Sequence, residues 1–403
     1  MTERLYYTDS ACRQFDATVR SAETTGDVTR VRLDRTAFYP TSGGQPFDTG
    51  RLGDARVVDV IDEDAGGVVH VVDRPLVPGA RVRGEIDWAR RLDHMQQHTG
   101  QHMLSAAFDR LFGVRTVSFH LGADASTIDL AREVSPAEIN AAETEASRVV
   151  WEDRPVTVRF ATDEEVARMP LRKESARSGL LRLVDITDFD LSACGGTHVP
   201  STGVVGIVAV AGWERFKSGS RVTFVCGGRA LRSHAALRDV VAAATRTLSV
   251  GAAGLVGSIE RLQQEARESA KTIRRLQDEA ALAGAERLRA AAETIGPHRV
   301  VLTAAAGQDA SGIKALASAI VSEPGLVAVV VGEGSPTPVV IARSVDVAMD
   351  AGAWIRAAAS ALGGRGGGRP EQAQGGVAAP AERILAYARD TFRRDPAYPL
   401  QGT

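Results

Sequence analysis

The pattern of apolar and polar positions along the chain changes character several times, and the first change falls near residue 90. Before it, short alternating or β-branched runs are separated by turns rich in Gly, Asp and Pro. Alternation with a period of two is typical of half-buried strands, and several short strands with such turns favour a small barrel. The sequence therefore predicts a β-barrel over residues 1–90, with strands at 28–33, 55–61, 68–72 and 80–86.

Helical and strand patterns mix over residues 91–248, which predicts an α+β domain. One helix is predicted over about 90–112, where apolar residues recur as far as Phe108. Ser135-Pro-Ala-Glu138 has an N-cap residue, a proline at the first helical position and an acid at the third, which predicts a second helix ending near Trp151. The shorter predicted elements are strands at 117–121, 127–130, 155–162, 180–185, 206–210 and 221–226, and a helix at 163–168.

Residues 249–296 carry a heptad-like repeat. Apolar residues follow alternating steps of three and four, with Ser269 as the exception, and charged or amide residues fill the positions between them. A repeat of about 3.5 residues predicts a long, coiled-coil-like helix that packs against another helix. The pattern leaves open whether that partner is a second subunit or the helix predicted near 233–248. The repeat consists of Leu255, Ile259, Leu262, Ala266, Ile273, Leu276, Ala280 and Ala283.

An alternating α/β pattern follows and predicts a C-terminal α/β domain over 297–403. The glycine-rich segment 363–376 is predicted to be a loop. Such a loop can present backbone N–H groups, together with Arg365 and Arg369, to phosphate, although a flexible linker is the simpler interpretation. The other predicted elements are strands at 298–304, 327–331 and 339–342, and helices at 311–322, 350–362 and 380–394.

Composition adds few limits. The chain has 403 residues, of which 44% are hydrophobic and 24% charged, as in an ordinary soluble protein of two or three domains. It contains no apolar run of membrane-spanning length and does not begin like a signal peptide, so we expect no membrane association and a cytoplasmic location. Its three cysteines imply no disulfide framework, which fits a reducing compartment.

The charge balance gives no global sign of a nucleic-acid-binding protein. The formal net charge is −2, so any such binding would depend on local patches. One basic group is either a solvated face or a contact for the acceptor end of a nucleic acid. It comprises Arg168, Arg172, Lys173, Arg177 and Arg182.

Two matched pairs of residues carry the candidate chemistry. His98 and His102 are four residues apart on a predicted helix, so both imidazoles leave the same face. Cys194 and His198 have the same separation, but two glycines lie between them, so a turn must place them. Three imidazoles and a thiolate suit tetrahedral zinc, whereas either pair alone would more often be ordinary core or surface residues. His94, one turn before His98, could also face the metal, but a solvated imidazole is the favoured interpretation.

These motifs resemble the editing domain of alanyl-tRNA synthetases and of their free-standing relatives, the AlaX proteins. His98-x-x-x-His102 and Cys194-Gly-Gly-Thr-His198 match in order, and 38–46 (FYPTSGGQP) matches the glycine motif of the same family. The resemblance, to the long form of AlaX, implies one Zn²⁺ per chain held by His98, His102, Cys194 and His198. It also implies a pocket for the amino acid, with Thr41 and Gln45 as the catalytic candidates. The implied substrate-binding residues are Thr41, Ser42, Gly43, Gly44, Gln45 and Thr197.

The resemblance extends to the C-terminal part of the chain. The segment 363–376 resembles the glycine-rich domain that ends alanyl-tRNA synthetases, which is also found with DHH phosphodiesterases. The acidic metal motif of the phosphodiesterases has no counterpart here. The resemblance therefore implies a tRNA-binding module without catalysis, with Arg365 and Arg369 as contacts. It also favours a homodimer formed through the helix at 249–296.

The function implied is ATP-independent hydrolysis of mischarged Ser-tRNA(Ala), with Gly-tRNA(Ala) as a second substrate. A pocket for alanine cannot strongly reject serine or glycine, since such differences give only about 10–200-fold discrimination. A second site can bind the serine hydroxyl and leave the alanyl ester with unpaired groups.

The role of the metal and the class of protein stay open at this stage. Zinc with three protein ligands keeps a place for water, whereas four usually make a structural site. Either one ligand is loose, or the ion organises the pocket and Gln45 and the terminal hydroxyls of the tRNA position the water. The alternatives are a non-catalytic tRNA-binding protein, an editing enzyme for another misacylated tRNA, and a zinc amide or peptide hydrolase. The length of the chain argues against a full synthetase.

Overall fold

The computed structural model describes residues 2–63, 67–172, 179–296 and 298–394. Two compact units divide the chain, residues 1–244 and 245–403. The predicted class is confirmed, because an N-terminal barrel, a mixed α+β region, a long helix and a C-terminal α/β region are all present. The finer domain boundaries at 90, 248 and 296 stay predictions. Lys173 and Arg177 of the basic group lie outside the described residues.

The N-terminal strands close a six-stranded barrel in the order β2-β3-β7-β6-β5-β8, and β1 pairs with β4 outside it. Its interior is filled by the alternate apolar residues of the strands, among them Val31, Leu33 and Val60. The longest strand, β2, is not predicted from sequence, because its apolar alternation covers only about half its length. The strands are β1 (Glu3–Arg4), β2 (Gln14–Thr25), β3 (Val28–Leu33), β4 (Arg35–Thr36), β5 (Gly50–Leu52), β6 (Ala55–Asp62), β7 (Val68–Val72) and β8 (Arg81–Ile86).

The rest of the first unit surrounds one buried helix, α1 (Trp88–Phe112). Its N-cap is Asp87, and Gly113 ends it in the left-handed conformation. Polar and apolar residues alike are buried from Gln97 to Phe108, so this stretch of the helix has no solvated face. The remaining elements are β9 (Thr116–Leu121), β10 (Ser126–Leu130), α2 (Pro136–Trp151), β11 (Val156–Ala161), α3 (Asp163–Val166), β12 (Leu181–Ile186), β13 (Asp190–Ala193), β14 (Val208–Phe216), β15 (Gly219–Cys226) and α4 (Gly227–Leu248).

Two antiparallel sheets pack around α1 in the orders β14-β15-β10-β9 and β11-β12-β13. Helix α2 begins with the predicted capping box between Ser135 and Glu138. Its buried face joins α1 and both sheets in one core, which includes Leu104, Phe108, Ile128, Ile139, Val184 and Phe224. This core fixes the strand that precedes the second ligand pair against the helix that carries the first pair.

The second unit is a six-stranded sheet with helices on both faces. Its order is β16-β17-β18-β19-β21-β20, and β17 and β18 run parallel. Alternate residues of each central strand pack against α5 and α6 on one face and against α7 and α8 on the other. The elements are α5 (Leu255–Ala290), β16 (Glu293–Ile295), β17 (His298–Ala304), α6 (Ala310–Ile320), β18 (Leu326–Val331), β19 (Thr337–Arg343), α7 (Ala351–Leu362), β20 (Gly364–Gly368), β21 (Gln372–Val377) and α8 (Ala381–Arg394).

The glycine-rich segment 363–376 is a β-hairpin, so its prediction as a loop is wrong. Gly364–Gly368 pairs with Gln372–Val377, and the backbone N–H of Arg369 donates to the carbonyl of Gln372 across the turn. The glycines admit α7, because a Cβ on Gly366 would lie 2.8 Å from Cγ1 of Ile355. Among the described strands, β20 pairs only with β21 and forms one edge of the sheet.

In the part of the chain that the structure describes, no single helix is long and apolar enough to cross a membrane. One bent pair, Gly227–Leu248 with Ala252–Ala290, meets that test jointly.

Candidate metal centre

Four side chains from two distant segments converge on one point. His98 and His102 project from α1, while Cys194 and His198 follow β13, and one ligand atom from each lies within 4.8 Å of the others. The sulfur of Cys194 is 3.4 Å from Nε2 of both His98 and His198. The three imidazole centroids are 4.5–5.3 Å apart. The two matched pairs therefore form a single cluster.

The cluster has the dimensions of a tetrahedral zinc site. Zn–S bonds of about 2.3 Å and Zn–N bonds of about 2.0–2.1 Å at tetrahedral angles put sulfur and nitrogen about 3.5 Å apart. The observed separations of 3.4 Å agree with that value. Thiolate and imidazole donors also favour zinc over magnesium or calcium, which prefer oxygen.

Each histidine uses its other ring nitrogen to contact a polar partner. Nδ1 of His98 donates to Oε1 of Gln45 over 2.9 Å, and Nδ1 of His102 donates to Oδ2 of Asp190 over 2.9 Å. Nδ1 of His198 lies 3.1 Å from the hydroxyl of Thr99. Such partners fix the orientation of a metal-binding imidazole and leave Nε2 directed at the ion.

The electrostatics favour a thiolate. Burial alone would raise the pKa of Cys194, but the nearby charges of His98 and His198 and hydrogen bonds from His102 and His198 lower it well below its usual value. Burial lowers the pKa of His198 to about 3. His102 differs, because its hydrogen bonds to Asp190 and Cys194 outweigh burial and raise its pKa to about 9.

The turn that carries the second pair is held by long-range contacts. The guanidinium of Arg182 donates to the carbonyl of Cys194 over 2.6 Å, and the backbone N–H of His198 donates to the hydroxyl of Ser10 over 3.3 Å. Gly196 packs on the imidazole of His98 so closely that a Cβ there would overlap the ring. Only glycine fits at this point of the turn without displacing a ligand.

The glycine motif forms a tight hairpin turn beside the cluster. Ser42 and Gln45 pair through both backbone hydrogen bonds, and Gly43 and Gly44 between them have φ of 54° and 81°. Two central residues with positive φ require glycine in such a turn. A Cβ on Gly44 would also lie 2.9 Å from the ring of Phe119. The glycine pair therefore serves the turn and its packing first.

Gln45 connects this turn to the metal cluster. Its side chain is fully buried, its amide nitrogen donates to the hydroxyl of Thr197 over 2.7 Å, and its amide oxygen accepts from the backbone of Thr197 and from His98. Asp48, at the end of the same loop, forms a buried ion pair with Arg91 of α1. The nitrogen and the oxygen of the Gln45 side-chain amide thus both contact protein atoms. Gln45 lies on the Nδ1 side of the His98 imidazole, away from Cys194.

A cavity of about 150 Å³ opens beside the cluster. His102 and Cys194 form part of its wall, and Gly43 of the predicted pocket residues lines it as well. Thr41 is exposed, Ser42 is half-buried, and Thr197 is fully buried next to Gln45; none of the three lines this cavity. The rest of the lining is Gln101, Thr116, Ser118, Phe119, Arg172, Ser192, Ala193 and Gly195.

Several residues of the site are not identified by sequence reasoning. Asp190 and Thr99 orient two of the imidazoles, and strand β9 supplies a cavity wall. The signals for the first two were local, since Thr99 lies between the two helix histidines and Asp190 four residues before Cys194. His94 is buried rather than solvated, stands outside the cluster, and has its pKa lowered to about 4 by burial.

Arg365 and Arg369 lie in the other unit. Both side chains are exposed on the hairpin of β20 and β21, and Arg365 is on the face opposite Gly366, which packs on α7. Arg182 of the basic group is buried behind Cys194, whereas Arg168 is exposed. The basic group is therefore not a uniformly solvated face, because Arg182 is buried.

Comparison with known proteins agrees with these motifs. Three family models match: "tRNA synthetases class II (A)" over residues 2–90, "Threonyl and Alanyl tRNA synthetase second additional domain" over 181–222, and the DHHA1 domain over 298–393. The alanine–tRNA ligase of Pyrococcus abyssi is 32% identical over 393 residues, which is 93% of this chain and 42% of the ligase.

Two relatives are named as editing proteins. The alanyl-tRNA editing protein AlaX-L of Pyrococcus horikoshii is 37% identical over 251 residues, covering 59% of this chain and 62% of that protein. The alanyl-tRNA editing protein Aarsd1 of Danio rerio is 33% identical over 252 residues, covering 61% and 59%. The chain spans about two-fifths of the length of the alanine–tRNA ligases that it matches. The chain therefore carries regions that match the class II (A) synthetase, second additional and DHHA1 domains, and it is related to the AlaX-type alanyl-tRNA editing proteins and to the corresponding part of the alanyl-tRNA synthetases.

Proposed function

We propose that this protein is a zinc-dependent deacylase that hydrolyses the ester of Ser-tRNA(Ala), with Gly-tRNA(Ala) as a second substrate, and releases the amino acid and tRNA(Ala). The observation that carries the proposal is the cluster of His98, His102, Cys194 and His198, two of which, His102 and Cys194, line a small cavity. The relatives named as editing proteins support the same reaction class. A ligand thiol supports a reducing compartment, so we place the activity in the cytoplasm.

The size and lining of the cavity support a small amino-acid moiety as the ligand. Its volume of about 150 Å³ is well below that of a pocket for a drug-sized molecule, about 300–1,000 Å³. Gln101, Thr116 and Ser118 contribute an amide and two hydroxyls to the wall. Gln101 and Thr116 already donate to the hydroxyl of Ser105, and Ser118 donates to Asp129. A serine hydroxyl would bind their remaining acceptor positions, which an alanyl ester does not use.

The side chains divide the work between holding and orienting. His98, His102, Cys194 and His198 would hold the ion, and Gln45, Asp190 and Thr99 would keep the imidazoles in place. A bound zinc ion supplies Lewis acidity towards an ester carbonyl. Ser192 and the backbone at Gly195 form the cavity wall next to Cys194 and limit the poses of the ester.

Arg365 and Arg369 are proposed to contact the phosphates of the tRNA. Both are exposed on a hairpin whose outer strand, β20, has an unpaired backbone edge. Guanidinium groups bind phosphate in a two-point geometry, and such contacts weaken as the salt concentration rises. Replacing both with glutamine should weaken binding of tRNA(Ala) and reduce the salt dependence of that binding.

A homodimer through α5 is proposed as the assembly. Ile259, Leu262, Ile273 and Leu276, which belong to the predicted repeat, are 47–57% exposed on this 36-residue helix. A groove beside the last two is partly apolar and also borders α6. A second copy of α5 would cover these four exposed apolar side chains with the same heptad positions of its own. Sedimentation of the protein and of a Leu262→Lys/Leu276→Lys variant tests this, and a monomeric unmodified protein would reject it.

The test of the function is deacylation of Ser-tRNA(Ala), Gly-tRNA(Ala) and Ala-tRNA(Ala), with the metal content measured on the same sample. We expect stoichiometric zinc and rapid release of serine. Binding of tRNA(Ala) without hydrolysis would identify a non-catalytic binding protein instead. Hydrolysis of another misacylated tRNA, or of an amide, would reassign the substrate.

A further inference from the structure

Arg172 joins the metal cluster to the cavity wall through one buried carboxylate. Its Nε donates to Oδ1 of Asp190 over 2.5 Å, and its Nη2 donates to Oδ2 over 3.3 Å. The side chain of Asp190 is fully buried, and that of Arg172 is only 13% exposed. The same carboxylate also accepts from His102, whose Nδ1 lies 2.9 Å from Oδ2.

The same guanidinium reaches a second residue of the wall. Its Nη2 donates to the hydroxyl of Ser192 over 3.0 Å, and that hydroxyl also contacts both oxygens of Asp190. The backbone N–H of Arg172 donates to the carbonyl of Leu191, which ties the chain to β13. Arg172 and Ser192 both line the cavity. Hydrogen bonds from Arg172 and Ser192 therefore fix the orientation of the Asp190 carboxylate, which also accepts a hydrogen bond from His102.

Charge compensation points to the same role. An imidazole that binds a metal through Nε2 carries no charge of its own, so it cannot balance a buried carboxylate. A buried charge without a partner is strongly unfavourable, and a planar guanidinium is the side chain that best pairs with a carboxylate in two-point geometry. Among the described residues, Arg172 is the guanidinium that contacts Asp190.

We propose that Arg172 is a positioning residue of the metal centre, which holds the imidazole of His102 in its ligating orientation through Asp190 and fixes the adjoining cavity wall through Ser192. The proposal rests on the proposed zinc site. Arg172 acts on the ligand and not on the ester, so its effect should appear in zinc affinity measured without any tRNA.

The experiment is a competition titration of zinc between the full chain and a chromophoric chelator. Arg172→Gln should weaken zinc binding by about 10–100-fold, the usual effect of losing an outer partner of a metal ligand. Arg172→Lys should recover part of the affinity, because it keeps the charge but not the two-point geometry. Arg159→Gln is the matched control, because this substitution removes the same charge. Arg159 is a half-exposed arginine on strand β11, in the sheet that also contains β13 and Asp190.

A double-mutant cycle with Asp190→Asn tests the route of the effect. If Arg172 acts through Asp190, Arg172→Gln should add nothing in the Asp190→Asn background. Thermal unfolding of the metal-free variants checks the fold, and Arg172→Lys decides the question if Arg172→Gln does not fold.

The opposing results are distinct. Unchanged zinc affinity in Arg172→Gln, or an equal loss in the Asp190→Asn background, would overturn the proposal. A raised KM for Ser-tRNA(Ala) with unchanged zinc affinity would make Arg172 a substrate contact instead. Because the titration contains no tRNA, absence of deacylation in the unmodified protein would refute the proposed function alone.

Discussion

The two halves of the ligand set have the same spacing in the chain and are built by different means. His98 and His102 are four apart on α1, where local helix geometry places both on one face. Cys194 and His198 are four apart on a turn, where Arg182 on the preceding strand and Ser10, distant in sequence, hold the backbone. One pair therefore depends on hydrogen bonds within its own helix, and the other on contacts between segments. The comparison predicts that the turn tolerates far less change around its ligands than the helix does.

Removal of one ligand from either half should have the largest effect. His102→Ala on the helix and Cys194→Ala on the turn should each lower zinc affinity and deacylation of Ser-tRNA(Ala) by more than about 100-fold, because four donors share one ion. His234→Ala, an exposed histidine on α4, is the control. Retained activity in both ligand variants would refute the metal-dependent mechanism.

The turn offers a matched pair of glycines that sharpens the comparison. Gly196→Ala should weaken zinc binding by about 10–100-fold, since the new Cβ overlaps the imidazole of His98 and displaces a ligand. Gly195→Ala should leave zinc affinity unchanged, because among the described residues its Cβ would approach nothing closer than the hydroxyl of Tyr7 at 3.9 Å. Equal affinities for the two variants would show that the turn adapts.

Gln45 is the residue that links the two halves, because it contacts His98 on the helix and Thr197 on the turn. Gln45→Met keeps the volume of the side chain but removes its hydrogen bonds, so zinc affinity should fall by about tenfold. The KM for Ser-tRNA(Ala) should stay the same. A raised KM with unchanged zinc affinity would instead support the direct substrate contact that the sequence predicts.

The smallest expected difference between the two halves of the ligand set is in the protons that they release when zinc binds. At pH 7 the raised pKa of His102 keeps it protonated in the metal-free protein, whereas Cys194 and His198 have already lost their protons. Zinc must then displace the proton of His102, and this release should vanish as the pH rises above about 9. Calorimetry in buffers of different ionisation enthalpy measures it.

Asp190→Asn supplies the control for that measurement. The variant removes the carboxylate that raises the pKa of His102, so fewer protons should be released at pH 7. An unchanged release in Asp190→Asn would assign the proton to a different group.

The sequence predicts those parts of the site that local geometry determines. The barrel, the capping box of α2 and the common face of His98 and His102 follow from periodicity and capping. That Cys194 and His198 would meet them could be inferred only from residue types, because the turn is placed by contacts made more than a hundred residues away, such as that of Ser10.

Glycine gives a more limited signal. The sequence predicts that both glycine-rich segments approach a ligand, and the structure shows that the side chains of Phe119 and Ile355 lie close to Gly44 and Gly366. A glycine indicates that another group approaches the backbone closely, but the sequence does not say whether that group belongs to a ligand or to the protein. The resemblance implies that Thr41 and Ser42 bind substrate, and this stays a prediction; the hydroxyls that line the cavity include those of Thr116 and Ser118.

The most direct test of the central claim is a comparison of the zinc-loaded and the zinc-stripped protein in hydrolysis of Ser-tRNA(Ala) and Ala-tRNA(Ala). We predict that the loaded protein hydrolyses the seryl ester at least about 100-fold faster than the alanyl ester, and that stripping abolishes the reaction until zinc is restored. Equal rates for both esters, or full activity of the stripped protein, would contradict the account.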